Sequence, residues 1–333
     1  MGVRFGMAIV STDIGAYIKQ VRRLDDAGVA MIGCGDSQAL YHEQFIRCAL
    51  AAEHSQQARV GTWITNPMTR HPAVTAAAIT TVDDIAPGRA FLGVGTGDST
   101  VYNAGLRPAR LETLERFIHT IRALHQEGTS AWQGKPCHLA WAKRRIPIGM
   151  AVSGPRALRL AGQLADIVWV CFGLQDDQIA QAKQYLQEGA EAAGRTLDDI
   201  DLWWVSQFNV ADSREAALDP IKPFLASLGH IMFRFSLDGK AVAPEVEQQV
   251  QELARRYQPI RHFDNVGLTD ELELTDYLAD RFAVAGPVET CIEQIRHLET
   301  QGVNQLFFYT ALPEADKDRL FSHLADEIIP ATR

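Results

Sequence analysis

Polar residues and glycines gather at the ends of four apolar stretches in this sequence. Asp36 ends one stretch, Thr65-Asn66 ends the next, and Gly95-Thr96-Gly97-Asp98 ends a third. Ser153-Gly154 ends a fourth, directly before Pro155. Carboxylates, amides and hydroxyls form hydrogen bonds, and glycine lets a ligand approach the main chain closely. Together these residue types suit the binding of a flat, polar organic ligand.

Asp36 and Asp98 are the two candidate catalytic residues. A carboxylate at Asp36 can accept a hydrogen bond from a ring N–H or a hydroxyl group of a ligand. Asp36 could instead cap a helix or form an ion pair, and Asp98 could equally cap a helix. Catalysis and a structural role are therefore both open for this pair.

Two further positions could bind a cofactor. Asn66 can donate to and accept from the edge of a heteroaromatic ring, although it could also serve only the turn in which it lies. Ser153-Gly154-Pro155 begins a helix, where free N–H groups and the positive end of the helix dipole favour an anion. A cofactor phosphate is the expected ligand of that helix start, and an ordinary helix cap is the alternative.

Several other functional classes are disfavoured by the sequence. Gly95–Asp98 is not a G-x-G-x-x-G fingerprint, and there is no P-loop lysine. The ten histidines form no H-E-x-x-H pattern, which disfavours metal catalysis, and spacing defines no Ser-His-Asp arrangement. The net charge of -9 and the pI near 5.6 argue against nucleic acid or an anionic membrane as a partner.

Length and cysteine usage predict a protein of the cytoplasm. The 333 residues contain no apolar run near the roughly 20 residues that span a bilayer. The chain begins directly with a β-prone stretch, so no signal peptide is expected. Its five cysteines are scattered and odd in number, which fits a reducing compartment.

Eight apolar strands alternate with helices along the whole chain. This alternation predicts a parallel sheet, and eight units favour a closed (β/α)₈ TIM barrel over an open sheet. A single domain over residues 1–333 is therefore expected. In such a barrel the chemistry lies at the carboxyl ends of the strands, a position that Ala151 shares. The predicted strands are Val3–Val10, Val29–Gly35, Val60–Ile64, Ala90–Val94, Ile146–Val152, Ile167–Phe172, Ile200–Val210 and Val303–Tyr309.

Two segments interrupt this alternation. Gly128–Arg145 is predicted to be irregular. Residues 229–282 are predicted to form a helical insertion over the barrel mouth, between the seventh and eighth strands, with a mobile or polar stretch near Arg261–Gly267. These two segments are expected to select the organic substrate.

Three motifs resemble those of one known superfamily. They are Gly61-Thr62-Trp63-Ile64-Thr65-Asn66-Pro67 with Pro87-Gly88-Arg89 and Leu92–Asp98, then Ser153-Gly154-Pro155-Arg156-Ala157-Leu158, and finally Val284-Ala285-Gly286-Pro287. Together they resemble the bacterial-luciferase-like superfamily, and more closely its branch containing coenzyme F420-dependent methylenetetrahydromethanopterin reductase. The resemblance covers most of the chain.

This resemblance implies a (β/α)₈ barrel with insertions that binds reduced FMN or coenzyme F420 at its mouth. It also implies a cis peptide bond between Trp63 and Ile64 behind the cofactor ring, although relatives often have a smaller residue than Trp63. Asp98 is expected near the ring or the substrate. Ser37 stands where F420-dependent sugar-phosphate dehydrogenases place a histidine base, which speaks against that activity. The residues expected to bind the cofactor are Asp36, Trp63, Ile64, Thr65, Asn66, Gly97, Ala151, Ser153 and Gly154.

Three functions follow from the resemblance. The first is a two-component monooxygenase that acts on a small organic substrate with reduced FMN from a separate flavin reductase. The second is an F420-dependent reductase or dehydrogenase that transfers hydride at C5 of the cofactor. The third is a flavin-binding protein without catalysis. FMN stands slightly ahead because its users are more widespread, and relatives commonly form homodimers or homotetramers.

Overall fold

The computed structural model describes residues 2–142, 144–309 and 312–333. Eight of its strands are parallel and join side by side in a closed ring, in the order β11-β1-β2-β3-β4-β7-β8-β9, with β9 pairing again with β11. This ring confirms the predicted (β/α)₈ barrel. The strands are β1 Arg4–Ile9, β2 Met31–Cys34, β3 Arg59–Thr65, β4 Ala90–Val94, β5 Thr129–Trp132, β6 Lys135–His138, β7 Ile148–Val152, β8 Ile167–Val170, β9 Asp201–Val210, β10 Ala283–Gly286 and β11 Gln305–Tyr309.

Helices connect the strands and cover the outside of the barrel. The first of them shows how the sequence defines their ends: Asp13 accepts a hydrogen bond from Ala16 N at 2.6 Å, and Gly28 follows the helix with a φ of 79°. None of the described helices is both long and apolar enough to cross a membrane. The helices are α1 Ile14–Asp26, α2 Gln44–His54, α3 Pro72–Ile85, α4 Ser99–Asn103, α5 Leu111–Glu127, α6 Pro155–Leu164, α7 Asp176–Ala192, α8 Arg214–Leu218, α9 Lys222–Phe233, α10 Glu247–Arg256, α11 Leu268–Glu271, α12 Thr275–Phe282, α13 Val288–Thr300, α14 Glu314–His323 and α15 Ile329–Thr332.

The interior of the barrel is packed with aromatic rings. Glycines on the strands leave room for them: a Cβ atom on Gly6 would lie 2.6 Å from the ring of Phe307, and one on Gly33 would lie 2.6 Å from Cβ of Trp63. The ring of Phe307 also meets that of Trp169, with centroids 6.0 Å apart and an edge-to-face arrangement. The barrel is therefore a filled core beneath its mouth.

The end of the barrel opposite the mouth is closed by hydrogen bonds to Asp201. Its carboxylate accepts from Arg59 at 2.8 Å, from Arg4 at 3.0 Å, from Trp203 at 3.0 Å and from Gln305 at 2.8 Å. Burial alone would raise the pKa of Asp201, but these donors outweigh it and lower the pKa below its ordinary value. We call this hydrogen-bond network the closed end. It supplies the Asp201 carboxylate with four donors.

The first of the two interrupting segments is more regular than predicted. The segment Gly128–Arg145 contains the antiparallel hairpin β5–β6, so its prediction as irregular was wrong. Before β11, the short strand β10 pairs in parallel with the far end of β9. In the stretch near Arg261–Gly267, His262 and Asn265 are buried between exposed residues, and Asn265 Nδ2 donates to the Arg261 carbonyl at 2.8 Å.

Candidate active site

The carboxyl ends of the barrel strands surround one cavity. The empty space between its walls is about 980 Å³ when the open mouth is included, of which about 170 Å³ is accessible to the centre of a water-sized sphere. Loops after the barrel strands form one side, and α9 with the turn at His262 forms the other. The structure places eight of the predicted site residues in the cavity wall: Asp36, Trp63, Ile64, Asn66, Gly97, Asp98, Ala151 and Ser153.

The peptide bond between Trp63 and Ile64 is cis, as the resemblance implies. The indole of Trp63 lies against Phe307 and Tyr309, with ring centroids 4.8 Å and 4.9 Å away. The side chain therefore extends the aromatic core upward to form the floor of the cavity. The extra bulk that distinguishes Trp63 from a small residue is accommodated by the packing around it.

Asp36 forms an ion pair within the barrel's own loops. Arg70 Nη2 lies 3.2 Å from its Oδ1, and Thr65 Oγ1 donates to its Oδ2 at 3.4 Å. Thr65 thus lies behind the cavity wall and contacts Asp36. The carboxylate side chain is 4% exposed. Burial raises the pKa of Asp36 above its ordinary value, and the charge and hydrogen bonds of Arg70 offset this only in part.

Asp98 also pairs with an arginine, but its partners come from α9. Arg234 contacts the Asp98 carboxylate directly, and His230 Nε2 lies 3.6 Å from Oδ1. Asp98 precedes α4 but makes no capping hydrogen bond with its side chain. Burial alone would raise the pKa of Asp98, but His230 and the charge of Arg234 outweigh it and lower the pKa. The predicted alternative of a helix cap is therefore wrong for Asp98.

Asn66 lines the cavity and also serves the turn in which it lies. Its Oδ1 accepts from Met68 N at 2.9 Å and from Thr69 N at 3.0 Å. Its Nδ2 donates to Thr69 Oγ1 at 3.0 Å. The amide is therefore fixed by local hydrogen bonds, and its principal role in the structure is to shape the loop after β3.

The start of α6 also borders the cavity. Ser153 lines the cavity, and its Oγ donates to the carbonyl of Ile231 on α9 at 3.3 Å. Gly154 is the N-cap residue of α6 and lies outside the cavity lining, with no side chain to cap the helix. The first N–H groups of α6 thus remain available to a ligand.

Two tyrosines lie at the mouth, and only Tyr309 is placed there by the strand pattern. Tyr41 and Tyr309 line the cavity, and their hydroxyl oxygens lie 3.4 Å apart. Burial raises the pKa of Tyr309 well above its ordinary value, so its hydroxyl stays protonated. The sequence indicates Tyr309 through its place at the end of the last predicted strand. Tyr41 does not lie at the end of a predicted strand, so the sequence does not indicate it.

A histidine of the insertion also reaches the cavity. His262 lines it, and the hydroxyl of Tyr257 contacts His262 Nδ1. Tyr257 in turn stacks on His230, with ring centroids 4.7 Å apart. Burial lowers the pKa of His262 to about 4, so its ring is neutral at pH 7. This side chain can exchange hydrogen bonds with a ligand without adding charge to the site.

One family of proteins matches nearly the whole chain. A sequence profile of the family described as luciferase-like monooxygenase matches residues 3–305. The 5,10-methylenetetrahydromethanopterin reductase of Methanopyrus kandleri is 28% identical over 307 residues, which cover 84% of each chain. The F420-dependent glucose-6-phosphate dehydrogenase of Nakamurella multipartita is 28% identical over 299 residues, which cover 84% of this chain and 79% of the relative.

Solved structures share the fold over its full length. The coenzyme F420 dependent tetrahydromethanopterin reductase from Methanopyrus kandleri superimposes with a TM-score of 0.79 and 24% identity, covering 100% of both chains. The oxygenating constituent of 3,6-diketocamphane monooxygenase from Pseudomonas putida, in complex with FMN, gives a TM-score of 0.68 at 16% identity and covers 99% of this chain and 98% of that chain. At these identities the likeness establishes the fold.

Proposed function

This chain belongs to the luciferase-like monooxygenase family, and we propose that it is an oxidoreductase that uses coenzyme F420. In this proposal the cofactor lies in the mouth cavity and exchanges a hydride at C5 with an organic substrate. The observation that carries the proposal is the extent of the cavity, which reaches from Trp63 and Ile64 to Ser153 at the start of α6. It offers a wall for a tricyclic ring beside Trp63 and Ile64 and a helix N-terminus for a phosphate beside Ser153.

The choice of F420 reverses the order favoured by the sequence alone. Sequence reasoning sets FMN slightly ahead, whereas a curated relative and a similar structure are both named for F420. FMN, bound in the more distant 3,6-diketocamphane monooxygenase structure, is the alternative cofactor. Sugar-phosphate dehydrogenation is not proposed, because the buried Ser37 offers no imidazole where those enzymes place their base.

The residues of the cavity fit a flat ring. Among the residues that line the cavity, Gly35, Gly97 and Ala151 present only main chain and one methyl group. The positive φ of 95° at Gly97 brings its main chain to the cavity in a conformation that other residues adopt rarely. These residues leave space for a planar ligand to lie directly against the backbone.

When bound, the cofactor supplies the hydride chemistry at C5, which amino-acid side chains cannot perform. The protein binds, orients and shields. Asp36 is held by Arg70 and Thr65 in a position to accept from a ring N–H. Arg234 joins Asp98 to α9 and so fixes the insertion over the cavity. His262 and Tyr309 present polar hydrogens or lone pairs to the substrate in an otherwise enclosed space.

A direct titration tests this proposal. F420 and FMN are added separately to the purified protein, and the fluorescence of each ring is followed. We expect F420 to bind at micromolar concentration, with FMN much weaker. Hydride transfer is then followed anaerobically as the loss of reduced F420 with a panel of carbonyl compounds, imines and alkenes. Tight FMN binding without F420 binding, together with oxygen consumption, would establish the monooxygenase alternative instead.

A cavity-filling substitution distinguishes the mouth from any other binding place. Ala151→Phe inserts a ring into the proposed cofactor wall, so we expect it to abolish F420 binding. Ala193→Phe places the same ring on an exposed position after α7 and should leave binding unchanged. Retained affinity in the folded Ala151→Phe protein would show that the ligand binds elsewhere.

A further inference from the structure

A lysine of the insertion lies against the start of α6. A Cβ atom on Gly154 would lie 3.3 Å from Cε of Lys240 and 3.8 Å from its Nζ. The end of the lysine side chain therefore lies close to the first turn of the helix. Lys240 is only 7% exposed, so its ammonium group is held inside the protein.

The ammonium group of Lys240 can donate more hydrogen bonds than it does. It contacts the carbonyl of Met232, and an ammonium group carries three N–H donors. Over residues 2–142, 144–309 and 312–333, no carboxylate forms an ion pair with it. A buried cation without a carboxylate is unfavourable, and the positive end of a helix dipole beside it adds to that repulsion. An anion bound at this place would reduce both the cost of the buried positive charge and its repulsion from the helix dipole.

Arg281 fixes the main chain that carries Lys240. Its guanidinium donates to the Lys240 carbonyl at 2.6 Å, to the Ala241 carbonyl at 2.8 Å and to the Phe172 carbonyl at 2.8 Å. From the other side, Tyr185 Oη donates to the Gly239 carbonyl at 3.2 Å. These bonds tie residues 239–241 to the end of the barrel after β8. Lys240 is thus held in place and does not depend on a ligand for its position.

We propose that Lys240 is a ligand of the cofactor phosphate, which it holds against the N-terminus of α6. The phosphate would take N–H groups of α6 on one side and the ammonium group on the other. Arg281 is the positioning residue for this contact. The inference rests on the proposed function, since it assumes a cofactor with a phosphate in its tail.

The charge of the lysine makes a pH effect part of the proposal. Burial, followed by the charges of Arg234 and Arg281, lowers the pKa of Lys240 to about 8, and Asp238 acts in the opposite direction. A bound phosphate favours the protonated lysine. Affinity for a phosphate-bearing cofactor should therefore fall as the pH rises through about 8, whereas affinity for the same ring without phosphate should lack this component.

The test compares two ligands on the full-length protein. They are F420 and its deazaflavin chromophore without the phosphate tail, and both are titrated by fluorescence against Lys240→Met. We expect roughly a 10- to 100-fold loss of affinity for F420, the range of a hydrogen bond to a charged group, and no change for the phosphate-free ring. Lys183→Met is the matched control, because Lys183 also donates to a backbone carbonyl, that of Gln301 at 2.7 Å.

The outcomes separate this inference from the proposed function. Equal losses for both ligands, or no loss for either, would overturn the role of Lys240 while leaving the proposed function intact. If neither ligand binds the unaltered protein, the proposed function fails and this inference fails with it. If Lys240→Met does not fold, the ratio of the two affinities across pH 7–9 in the unaltered protein decides, and a constant ratio would overturn the inference.

A third ligand identifies the source of the phosphate. Glucose 6-phosphate is titrated into the protein already loaded with the phosphate-free ring. We expect its affinity to be the same with Lys240 and with Met at this position. If the substitution weakens glucose 6-phosphate binding, Lys240 serves a substrate phosphate and the assignment to the cofactor is wrong.

Discussion

Two walls of the cavity each contain an aspartate paired with an arginine, but the two pairs come from different parts of the chain. On the barrel wall, Asp36 pairs with Arg70, 34 residues later in the chain and on a neighbouring loop. On the insertion wall, Asp98 pairs with Arg234, 136 residues later and directly after α9. The first pair belongs to the barrel alone. The second joins the barrel to the segment that covers it.

The two carboxylates differ in proton affinity as well as in origin. Asp36 is the more deeply buried side chain, 4% exposed against 19% for Asp98, and burial raises its pKa. Arg234 and His230 instead hold the pKa of Asp98 below its ordinary value. The comparison shows that an aspartate–arginine pair does not by itself set the direction in which the carboxyl pKa shifts. The balance between burial and the number of donors decides it.

Removing the arginine from each wall should have the largest effect and an unequal one. Arg234→Met leaves Asp98 partly buried and releases α9 from the barrel. We expect it to cost about 3 kcal/mol of unfolding free energy, at the low end for breaking a buried ion pair. Arg70→Met should cost about 1–2 kcal/mol, because Arg70 is 21% exposed and burial, which raises the pKa of Asp36, makes its charged form less favourable. Urea unfolding at pH 7 measures both.

The same two variants separate stability from ligand binding. Arg234→Met should also weaken F420 binding, because the insertion wall would no longer be fixed at the mouth. Arg261→Met, on an exposed side chain of the same insertion, is the control and should change neither property. Equal destabilisation by Arg234→Met and Arg70→Met would mean that the insertion gains nothing from its tie to Asp98.

The turn after β3 provides the second-largest expected effect. Asn66→Ala removes the acceptor for Met68 N and Thr69 N, so the barrel wall should lose its fixed shape. We expect a loss of about 1–2 kcal/mol in unfolding free energy and a weaker F420 affinity. Asn66→Asp keeps the oxygen that accepts these two bonds and should retain most of the stability. If the alanine variant binds F420 normally, the loop does not contact the cofactor.

The sequence predicted the barrel wall better than the insertion wall, for a physical reason. Residues at neighbouring strand ends are brought together by any parallel barrel, so Asp36, Asn66 and Asp98 could be placed at one mouth from the strand pattern alone. Arg234, His262 and Lys240 lie in a segment whose path depends on tertiary packing. Their own neighbours in the sequence carry no signal of the cavity that they reach.

Two local elements were missed because they are short. The hairpin β5–β6 has two strands of four residues and turns at Gln133 and Gly134, which have φ values of 50° and 76°. This turn of two residues with positive φ could have been suspected from Gly134. The strand β10 is four residues long, and it is a strand only because it pairs with the end of β9. Such pairing cannot be derived from the four residues themselves.

The pH dependence of stability should distinguish the two carboxylates by sign. Asp98, with a lowered pKa, contributes stability that is present above the ordinary carboxyl range and is lost as the pH falls through its folded pKa. Asp36, with a raised pKa, loses relative stability as the pH rises from about 3.8 through its folded pKa. As the pH rises, the unfolding free energy of wild type should therefore increase relative to that of Asp98→Asn and decrease relative to that of Asp36→Asn.

Urea unfolding of the three proteins at several pH values between about 3 and 7, the range that brackets carboxyl titration, measures this effect. Only the trend of each difference with pH is compared, because the asparagine also changes hydrogen bonds at every pH. Asp201→Asn at the closed end provides a reference of known direction, since the pKa of Asp201 is lowered like that of Asp98. Parallel trends for Asp36→Asn and Asp98→Asn would contradict the difference between the walls.

Ser153→Ala should have the smallest effect and shows whether the two walls meet at this residue. The Ser153 hydroxyl donates to the carbonyl of Ile231 on α9 across a long 3.3 Å hydrogen bond. Its loss should therefore reduce the free energy of F420 binding by only about 0.5–1 kcal/mol, which corresponds to a two- to fivefold loss of affinity. If the hydroxyl contacts the cofactor phosphate, only F420 should lose affinity. If it merely ties α9 to the barrel, F420 and its phosphate-free ring should lose affinity equally. A loss of 50-fold or more for either ligand would mean that Ser153 carries more of the site than its single long hydrogen bond indicates.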